Sequence, residues 1–199
     1  LPESLPPEAR TSKSKPRVKL PIKAWQKILS GPLGSLFFMA FLMTCGLMIF
    51  YGIFGLYALE KYNFEPEQVG TVFMIFGLVS AVAQGLLCGP LSKRFGEAAV
   101  IKISLLGTAA GFSLISLANT PASIYLCIGF FTLGTTLLSP AISALTSKFA
   151  TLEQGITMGL SNAAMSLGRI IGPLWAGYIF DIHIEYPFYG GAVILLVGF

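Results

Sequence analysis

The chain has 199 residues, of which 54% are hydrophobic and only 11% are charged, and its formal net charge is +4. Soluble domains carry about 25% charged residues, so this composition excludes an ordinary soluble domain. The basic balance does not indicate nucleic acid as a partner, because Lys and Arg lie between long apolar stretches, where they set membrane topology. The sequence therefore predicts an all-α polytopic membrane protein with the lipid bilayer as its main partner.

The first predicted element is residues 1–30, which are rich in Pro and Lys and contain no long apolar run. Such a segment cannot bury a core, so it is predicted to be a cytoplasmic linker and not a domain or a cleavable signal peptide. Residues 20–29 are amphipathic, with Trp25 between Lys23 and Lys27. They suit either a segment at the level of the lipid headgroups or a solvated tether.

Three stretches without a charged residue follow, at residues 28–59, 68–92 and 103–147. A helix of about 20 apolar residues crosses a bilayer, so the first two stretches hold one span each and the third holds two. The predicted domain 31–199 thus contains five complete spans and part of a sixth. Their predicted bounds are 33–59, 69–91, 98–118, 123–146 and 155–180, with a last, truncated helix from about residue 189.

The short sixth helix supplies only about half of the apolar length that a crossing requires. The sequence also opens without an initiator Met. Together these two features lead us to expect a fragment of a longer protein.

The basic residues of the loops indicate the orientation of a multi-pass protein in the cell or inner membrane. Alternating the loops between the two sides places eleven Lys and Arg on the side of the N-terminal segment and only Lys61 on the other. By the positive-inside rule, the N-terminal segment and the loops at Lys93 and Lys148 are predicted to be cytoplasmic, while those at Glu65 and Glu185 face outward.

Glycines recur in four pairs at four-residue spacing on three spans, which favours close helix packing in lipid. In a chain with several spans, packing within the chain is favoured over a homodimer face. The four pairs are Gly85 and Gly89, Gly107 and Gly111, Gly155 and Gly159, and Gly168 and Gly172.

Polar side chains on the spans are candidates to line an aqueous path, because a polar group in lipid needs a partner or water. Two interpretations stay open for each hydroxyl: it lines a substrate path, or it donates to the carbonyl one turn earlier in its own helix. The candidate pathway residues are Thr44, Tyr51, Gln84, Thr132, Thr136, Ser139, Asn162 and Arg169.

Arg169 is the charged residue nearest to the middle of a predicted span. Insertion of Arg at that depth costs about 2.5 to 3.5 kcal/mol, so we expect it to face a cavity, exposed carbonyls or an acid outside this sequence. No Asp or Glu lies within a predicted span. A functional role is favoured over a purely structural one, because charge within a membrane usually marks function.

The segment Gly-Pro-Leu-Ser-Lys-Arg-Phe-Gly-Glu at residues 89–97 follows the second span directly. It resembles the G-x-L-x-D-R-x-G-R loop motif of the major facilitator superfamily, in the copy between the eighth and ninth helices. Residues 166–173 and 177–181 look like the eleventh helix of the drug:proton antiporter branch, which includes tetracycline-efflux-like transporters. The opening residues 1–4 are similar to that branch's central cytoplasmic loop.

The resemblance implies the C-terminal six-helix half of a twelve-helix transporter, built from two inverted three-helix repeats. Its implied partners are a small-molecule substrate and the missing N-terminal half of the same protein. The implied function is secondary active transport by alternating access, through proton-coupled efflux of drugs or other amphipathic compounds. No cofactor or metal is expected, and the proton gradient is the implied driving force.

The loop motif departs from the family pattern, since Lys93 replaces an Asp and Glu97 replaces a basic residue. The usual pairing of that Asp with a helix N-terminus cannot operate, because a cation there is unfavourable. We retain Gly89, Arg94 and Gly96 as a tight turn with a cytoplasmic charge. Both a conformational latch and a plain positive-inside loop remain open.

Four alternatives to this function remain open or disfavoured. An importer of sugars or organic anions with the same fold is the nearest, and a channel or non-transporting receptor is compatible with half a sequence. An intramembrane enzyme is disfavoured, because it needs a catalytic or metal-binding set inside the spans. The single histidine, His183, is predicted to lie in an outer loop.

Overall fold

The computed structural model describes residues 31–150 and 154–199, and these are almost entirely helical, without a strand. The predictions for residues 1–30 lie outside this part of the chain. The predicted helices are confirmed, with ends that differ by no more than four residues. The elements are α1 (Pro32–Tyr62), α2 (Pro66–Ala83), a π-helical segment (Gln84–Cys88), α3 (Gly89–Phe95), α4 (Glu97–Leu117), α5 (Pro121–Lys148), α6 (Gln154–Phe180) and α7 (Tyr186–Val197).

Among residues 31–150 and 154–199, four spans are long and apolar enough to cross a membrane: α1, the continuous span Pro66–Phe95, α4 and α5. Helix α6 has sufficient length, with 27 residues, but it is less apolar because it carries Asn162, Ser166 and Arg169. Helix α7 is apolar and has 12 residues. Length and composition thus confirm four of the five predicted complete spans, and α6 meets the requirement of length alone.

The second span was predicted as a regular helix, whereas the structure divides it at the π-helical segment Gln84–Cys88. Pro90 follows in the first turn of α3. Proline has no N–H to donate to the carbonyl one turn earlier, so the regular hydrogen-bond pattern fails at this point of the span. A wider π turn accommodates the fault.

The turns between spans are set by local capping. Helices α1, α2 and α5 begin with proline in the first turn, where its missing N–H costs nothing. Glu65 and Gln68 form a capping box before α2, and Thr120 and Ser123 form one before α5. Asn63 ends α1 in the left-handed conformation, with φ 54°. These caps allow the chain to reverse between spans within a few residues.

The helix contacts follow an inverted repeat. Helix α1 packs against α6 and α7, while α5 packs against α2 and α4. Two further contacts, between α1 and α5 and between α4 and α7, join the two sets. Exchanging the first three spans with the last three leaves this set of contacts unchanged. An odd number of spans per repeat inverts the second copy relative to the first, so the predicted pair of inverted three-helix repeats matches the packing.

Glycines bring α1 and α6 into close contact. A Cβ atom at Gly168 would lie 2.7 Å from the carbonyl oxygen of Phe41, and one at Gly172 would lie 2.7 Å from that of Cys45. Both distances are below van der Waals contact, so only glycine permits this approach. This pair confirms the predicted packing within the chain.

A second glycine contact joins α4 to α5, where a Cβ at Gly111 would lie 2.7 Å from the Cα of Phe131. Two of the four predicted glycine pairs show the opposite behaviour. Open space surrounds the position of an added Cβ at Gly85, Gly89, Gly155 and Gly159. Within the described residues, these four glycines therefore have no packing role.

A polar cluster ties one end of the bundle together, and we call it the Lys61 cluster. The Lys61 ammonium donates to the Tyr57 hydroxyl at 2.9 Å, the Ser116 carbonyl at 2.7 Å and the Glu185 carboxylate at 2.7 Å. Tyr57 in turn donates to the Ile115 carbonyl at 3.0 Å. These carbonyls lie in the last turn of α4, where they have no helical partner and a cation is favoured.

The Lys61 side chain is only 15% exposed. The single basic residue on its side of the predicted topology is therefore a packed structural group that joins α1, α4 and the start of α7.

We expect Lys61→Met to lower the free energy of unfolding by about 2 to 3 kcal/mol, because it leaves a carboxylate and a helix-terminal carbonyl without their donor. Glu185→Gln should cost only about 1 kcal/mol, since Lys61 keeps its other two acceptors. Thermal unfolding of the full-length protein in detergent measures both. Lys102→Met, at an exposed lysine, is the control and should change stability by less than about 0.5 kcal/mol. Equal losses for the Lys61 and Glu185 variants would contradict this account.

Candidate functional site

An open cavity of about 470 Å³ lies between α1 and the second span. This volume is within the range of small-molecule sites in proteins, about 300 to 1,000 Å³. All but one of its lining residues come from the second span, where spacings of three or four residues place them on one helix face. The lining residues, none of them charged, are Tyr51, Phe73, Phe76, Gly77, Ser80, Ala81 and Gln84.

Three of these residues, Tyr51, Phe73 and Phe76, form what we call the aromatic wall. The Tyr51 ring centroid lies 5.5 Å from that of Phe76 and 5.9 Å from that of Phe73. Phe50 is fully buried behind them and packs on Phe76 at 5.8 Å and on Phe131 at 5.0 Å. Aromatic pairs at such distances stabilise one another by about 0.5 to 1.5 kcal/mol beyond area burial, so the wall is held in place from behind.

The polar groups of the cavity are the Ser80 hydroxyl, the Gln84 amide and the Tyr51 hydroxyl. Thr136 of α5 donates a hydrogen bond to Ser80 at 2.9 Å and is itself buried. An aromatic surface with a few hydrogen-bonding groups can bind an amphipathic molecule by stacking and polar contact. It cannot attract or repel an ion through a full charge of its own.

Two of the predicted pathway residues, Tyr51 and Gln84, line this cavity, and Thr136 supports it from behind. Thr44 and Thr132 are buried, and each donates to a carbonyl one turn earlier, at 2.8 Å to Ala40 and 2.6 Å to Ile128. In this structure their hydroxyls follow the second interpretation given for such groups, and they do not line the cavity.

The remaining predicted residues, Ser139, Asn162 and Arg169, are exposed on α5 and α6 and lie outside the cavity lining. Asn162 accepts a hydrogen bond from Ser166 through its backbone carbonyl. The ion pairs of the described residues do not include Arg169. The structure therefore does not join these three residues to Tyr51 and Gln84, and their place on a substrate path stays a prediction.

Phe73 and Phe76 were not among the predicted site residues. Their spacing from Ser80 and Gln84 is helical, so they share a face with two polar side chains. The pattern that could have identified Phe73 and Phe76 is an aromatic residue on the same helix face as polar side chains. A face that contacts lipid carries no polar side chains.

The predicted loop motif forms the turn between α3 and α4. Gly96 joins the two helices with φ 78° and ψ 156°, a backbone region that is essentially restricted to glycine. Gly89 lies in a regular helical conformation with open space around it. The Arg94 guanidinium is exposed and lies over the Phe95 ring, 5.4 Å from its centroid. The tight turn thus rests on Gly96.

Glu97, which stands where the motif has a basic residue, forms an ion pair. Glu97, the first residue of α4, accepts from the Lys148 ammonium at 2.6 Å, and Lys148 is the last residue of α5. The acid lies at a helix N-terminus and the base at a helix C-terminus, where each charge is favourable. The ion pair therefore connects the turn before α4 to the end of α5, two helices that also pack against each other.

Gly96→Ala should destabilise the protein by about 1 to 3 kcal/mol, because alanine must adopt a backbone conformation reserved for glycine. Gly89→Ala is the matched control within the same motif and should be neutral or slightly stabilising, since alanine is the better helix former. Thermal unfolding of the two full-length variants tests the difference. If Gly89→Ala were the more damaging change, the turn would not depend on Gly96.

Comparison with known proteins gives matches over most of the chain. The family model described as Major Facilitator Superfamily matches residues 36–199. Multidrug resistance protein 2 of Bacillus subtilis (strain 168) is 32% identical over 162 residues, which are 81% of this chain and 40% of that protein. Quinolone resistance protein NorA of Staphylococcus aureus (strain COL) is 33% identical over 156 residues, which are 78% of this chain and 40% of that protein.

A solved structure shares the fold. The crystal structure of the human organic anion transporter MFSD10 (TETRAN) matches with a TM-score of 0.72 at 22% identity, covering 83% of this chain and 38% of that one. The chain thus spans about 40% of the length of the relatives that it matches.

Proposed function

This chain belongs to the major facilitator superfamily, and from that premise we propose that it is part of a secondary active transporter that moves a small molecule across the membrane by alternating access. Members of the superfamily are transporters and not enzymes, so transport and not catalysis is the activity that we propose. The observation that carries the proposal is the aromatic cavity between α1 and the second span.

We propose drugs or other amphipathic compounds as the substrates and efflux as the direction. The cavity offers a flat aromatic surface, three hydrogen-bonding groups and no charge. Such a surface suits aromatic compounds, whatever charge they carry. Relatives at 32% and 33% identity are named for multidrug resistance and quinolone resistance. The identities and the chemistry of the cavity support the same proposal from independent directions.

The described residues are proposed to form the C-terminal half of the transporter. Only 11% of the most apolar part of the span Pro66–Phe95 is buried. Leu86 is 67% exposed on this span, and Leu174 is 70% exposed on α6, its counterpart in the inverted repeat. These two faces are proposed to contact the N-terminal half. The relatives are long enough to contain such a half, since the chain covers only 40% of each.

Proton coupling is proposed to depend on groups outside this sequence. The described acids lie at helix ends or in turns, as Glu97 and Glu185 do, and the cavity has no titratable carboxylate. Coupling ordinarily needs a titratable acid within the membrane. The coupling acid is therefore proposed to lie in the other half, with this half contributing the ring-binding surface.

The full-length protein should drive uptake of ethidium into everted vesicles, whose cytoplasmic face is outside, and Tyr51→Ala or Phe76→Ala should each raise the apparent KM for ethidium about two- to tenfold through loss of an aromatic contact. Tyr189→Ala, at a residue 40% exposed on α7 and outside both the cavity and the proposed contact faces, is the control and should leave KM unchanged. Equal KM values for all three variants at equal expression would remove the cavity from the transport path.

Dissipating the pH gradient with nigericin should stop the uptake of ethidium into everted vesicles that contain the wild-type protein. Flux that continues unchanged would exclude proton coupling. No flux of ethidium or of any other tested solute would favour a non-transporting receptor.

The N-terminal segment is proposed to be cytoplasmic, from the distribution of basic residues. Glu65→Cys should react with a membrane-impermeant maleimide in intact cells, whereas Lys93→Cys should react only after permeabilisation. The two positions flank opposite ends of one span. Labelling of both in intact cells, in a background where the three native cysteines are replaced, would contradict both the span and the orientation.

A further inference from the structure

One of three neighbouring threonines on α5 behaves differently from the others. Thr132 and Thr135 donate to carbonyls of their own helix, at 2.6 Å to Ile128 and 2.5 Å to Phe131. Thr136 instead donates across to Ser80 of α2, at 2.9 Å. A threonine in a helix can donate to the carbonyl one turn earlier, as Thr132 and Thr135 do, so the contact of Thr136 with another helix reflects its position behind the cavity.

The direction of this hydrogen bond decides what Ser80 can offer. A serine hydroxyl has one hydrogen to donate and two lone pairs to accept with. The Thr136 hydroxyl is buried, and Ser80 is its one hydrogen-bond partner in the described part of the chain, so we assign the Thr136 hydrogen to the Ser80 oxygen, which leaves the Ser80 hydrogen free to point elsewhere. Ser80 lines the cavity, whereas Thr136 is only 6% exposed and does not. The free hydrogen is therefore available to a molecule in the cavity.

We infer that Thr136 is a positioning residue that orients the Ser80 hydroxyl as a donor, so that the cavity prefers aromatic ligands with a hydrogen-bond acceptor on the ring. The inference rests on the proposed function, since it requires that the cavity binds a substrate. The aromatic wall faces the same space from both helices, with Tyr51 on α1 and Phe76 on α2. A ring stacked there brings a carbonyl, ether oxygen or ring nitrogen next to Ser80.

The low polarity of the surroundings increases the effect. A ligand ring that stacks on the aromatic wall displaces water, and a polar ligand atom left unpaired there carries a desolvation cost. Gln84, one turn further on, both donates and accepts, so it does not distinguish acceptors from donors. The preference for acceptors therefore depends on the hydroxyl pair Ser80 and Thr136.

Two matched probes test the inference: 9-fluorenone and fluorene, in which a ring carbonyl is replaced by methylene. Tritiated forms are titrated onto the full-length protein in lipid nanodiscs. The wild-type protein should bind fluorenone about two- to tenfold more tightly than fluorene, the ratio for one hydrogen bond. Thr136→Val should abolish that ratio by weakening fluorenone binding alone, and Thr136→Ser should restore it.

Two further variants separate positioning from a structural effect. Ser80→Ala should equal Thr136→Val, and the double variant should add nothing to either, because both changes remove the same donor. Thr135→Val, one residue away and bonded to its own helix, should keep the wild-type ratio.

Weaker binding of both probes by Thr136→Val, or an unchanged ratio, would overturn the inference while leaving the cavity intact as a binding site. A Tyr51→Ala variant that binds both probes as tightly as the wild type would instead overturn the proposed site itself.

Discussion

The hydrocarbon core of a membrane offers no hydrogen-bond partners, so every polar group placed there must be satisfied by the protein. Four buried threonines of α1, α4 and α5 meet this constraint by donating to their own helices, as Thr44, Thr108 and Thr132 do. At one end of the bundle, Lys61 donates to the unpaired Ser116 carbonyl in the last turn of α4. Buried hydroxyls without a partner in the described part of the chain are few, at Ser104, Thr146 and Thr157. Polar groups that stay open, such as Gln84 and Arg169, are therefore the ones left for a ligand or another part of the protein.

The cavity exists because α1 is packed differently on its two sides. Toward α6, Gly168 and Gly172 let the two backbones meet. Toward the second span, Phe73 and Phe76 stand between the helices, and aromatic rings instead of backbone atoms make the contact. Small glycines thus allow close packing of α1 on α6, whereas large aromatic rings keep α1 apart from the second span. The inverted repeat makes the contact between α5 and α6 the counterpart of this open side, and both are among the slighter contacts of the bundle.

The spans could be predicted from sequence because the physical requirement is one-dimensional: about 20 residues without charge. The site could be predicted only in part, because the same spacing serves two purposes. Thr132 and Thr136 are one turn apart and read alike, yet one bonds to its own helix and the other to α2. Two of four glycine pairs pack within the chain, a choice that depends on which helices meet. The π-helical turn at Gln84 has no characteristic spacing of apolar residues in the sequence. Pro90 is the one residue nearby that indicates a break in the regular helix.

In the proposed transporter, ring binding and charge are assigned to different helices. The aromatic cavity is formed chiefly by the second span and contains no charge, whereas Arg169 lies exposed on α6, the counterpart of that span in the inverted repeat. A charge of this kind at mid-membrane costs about 2.5 to 3.5 kcal/mol unless it is paired or hydrated. If Arg169 lay within the cavity, it would exclude cations; on a separate helix, it leaves the aromatic surface open to rings of any charge. The proposed range of substrates thus follows from a site that selects by shape and by one oriented hydroxyl, with the charge placed elsewhere.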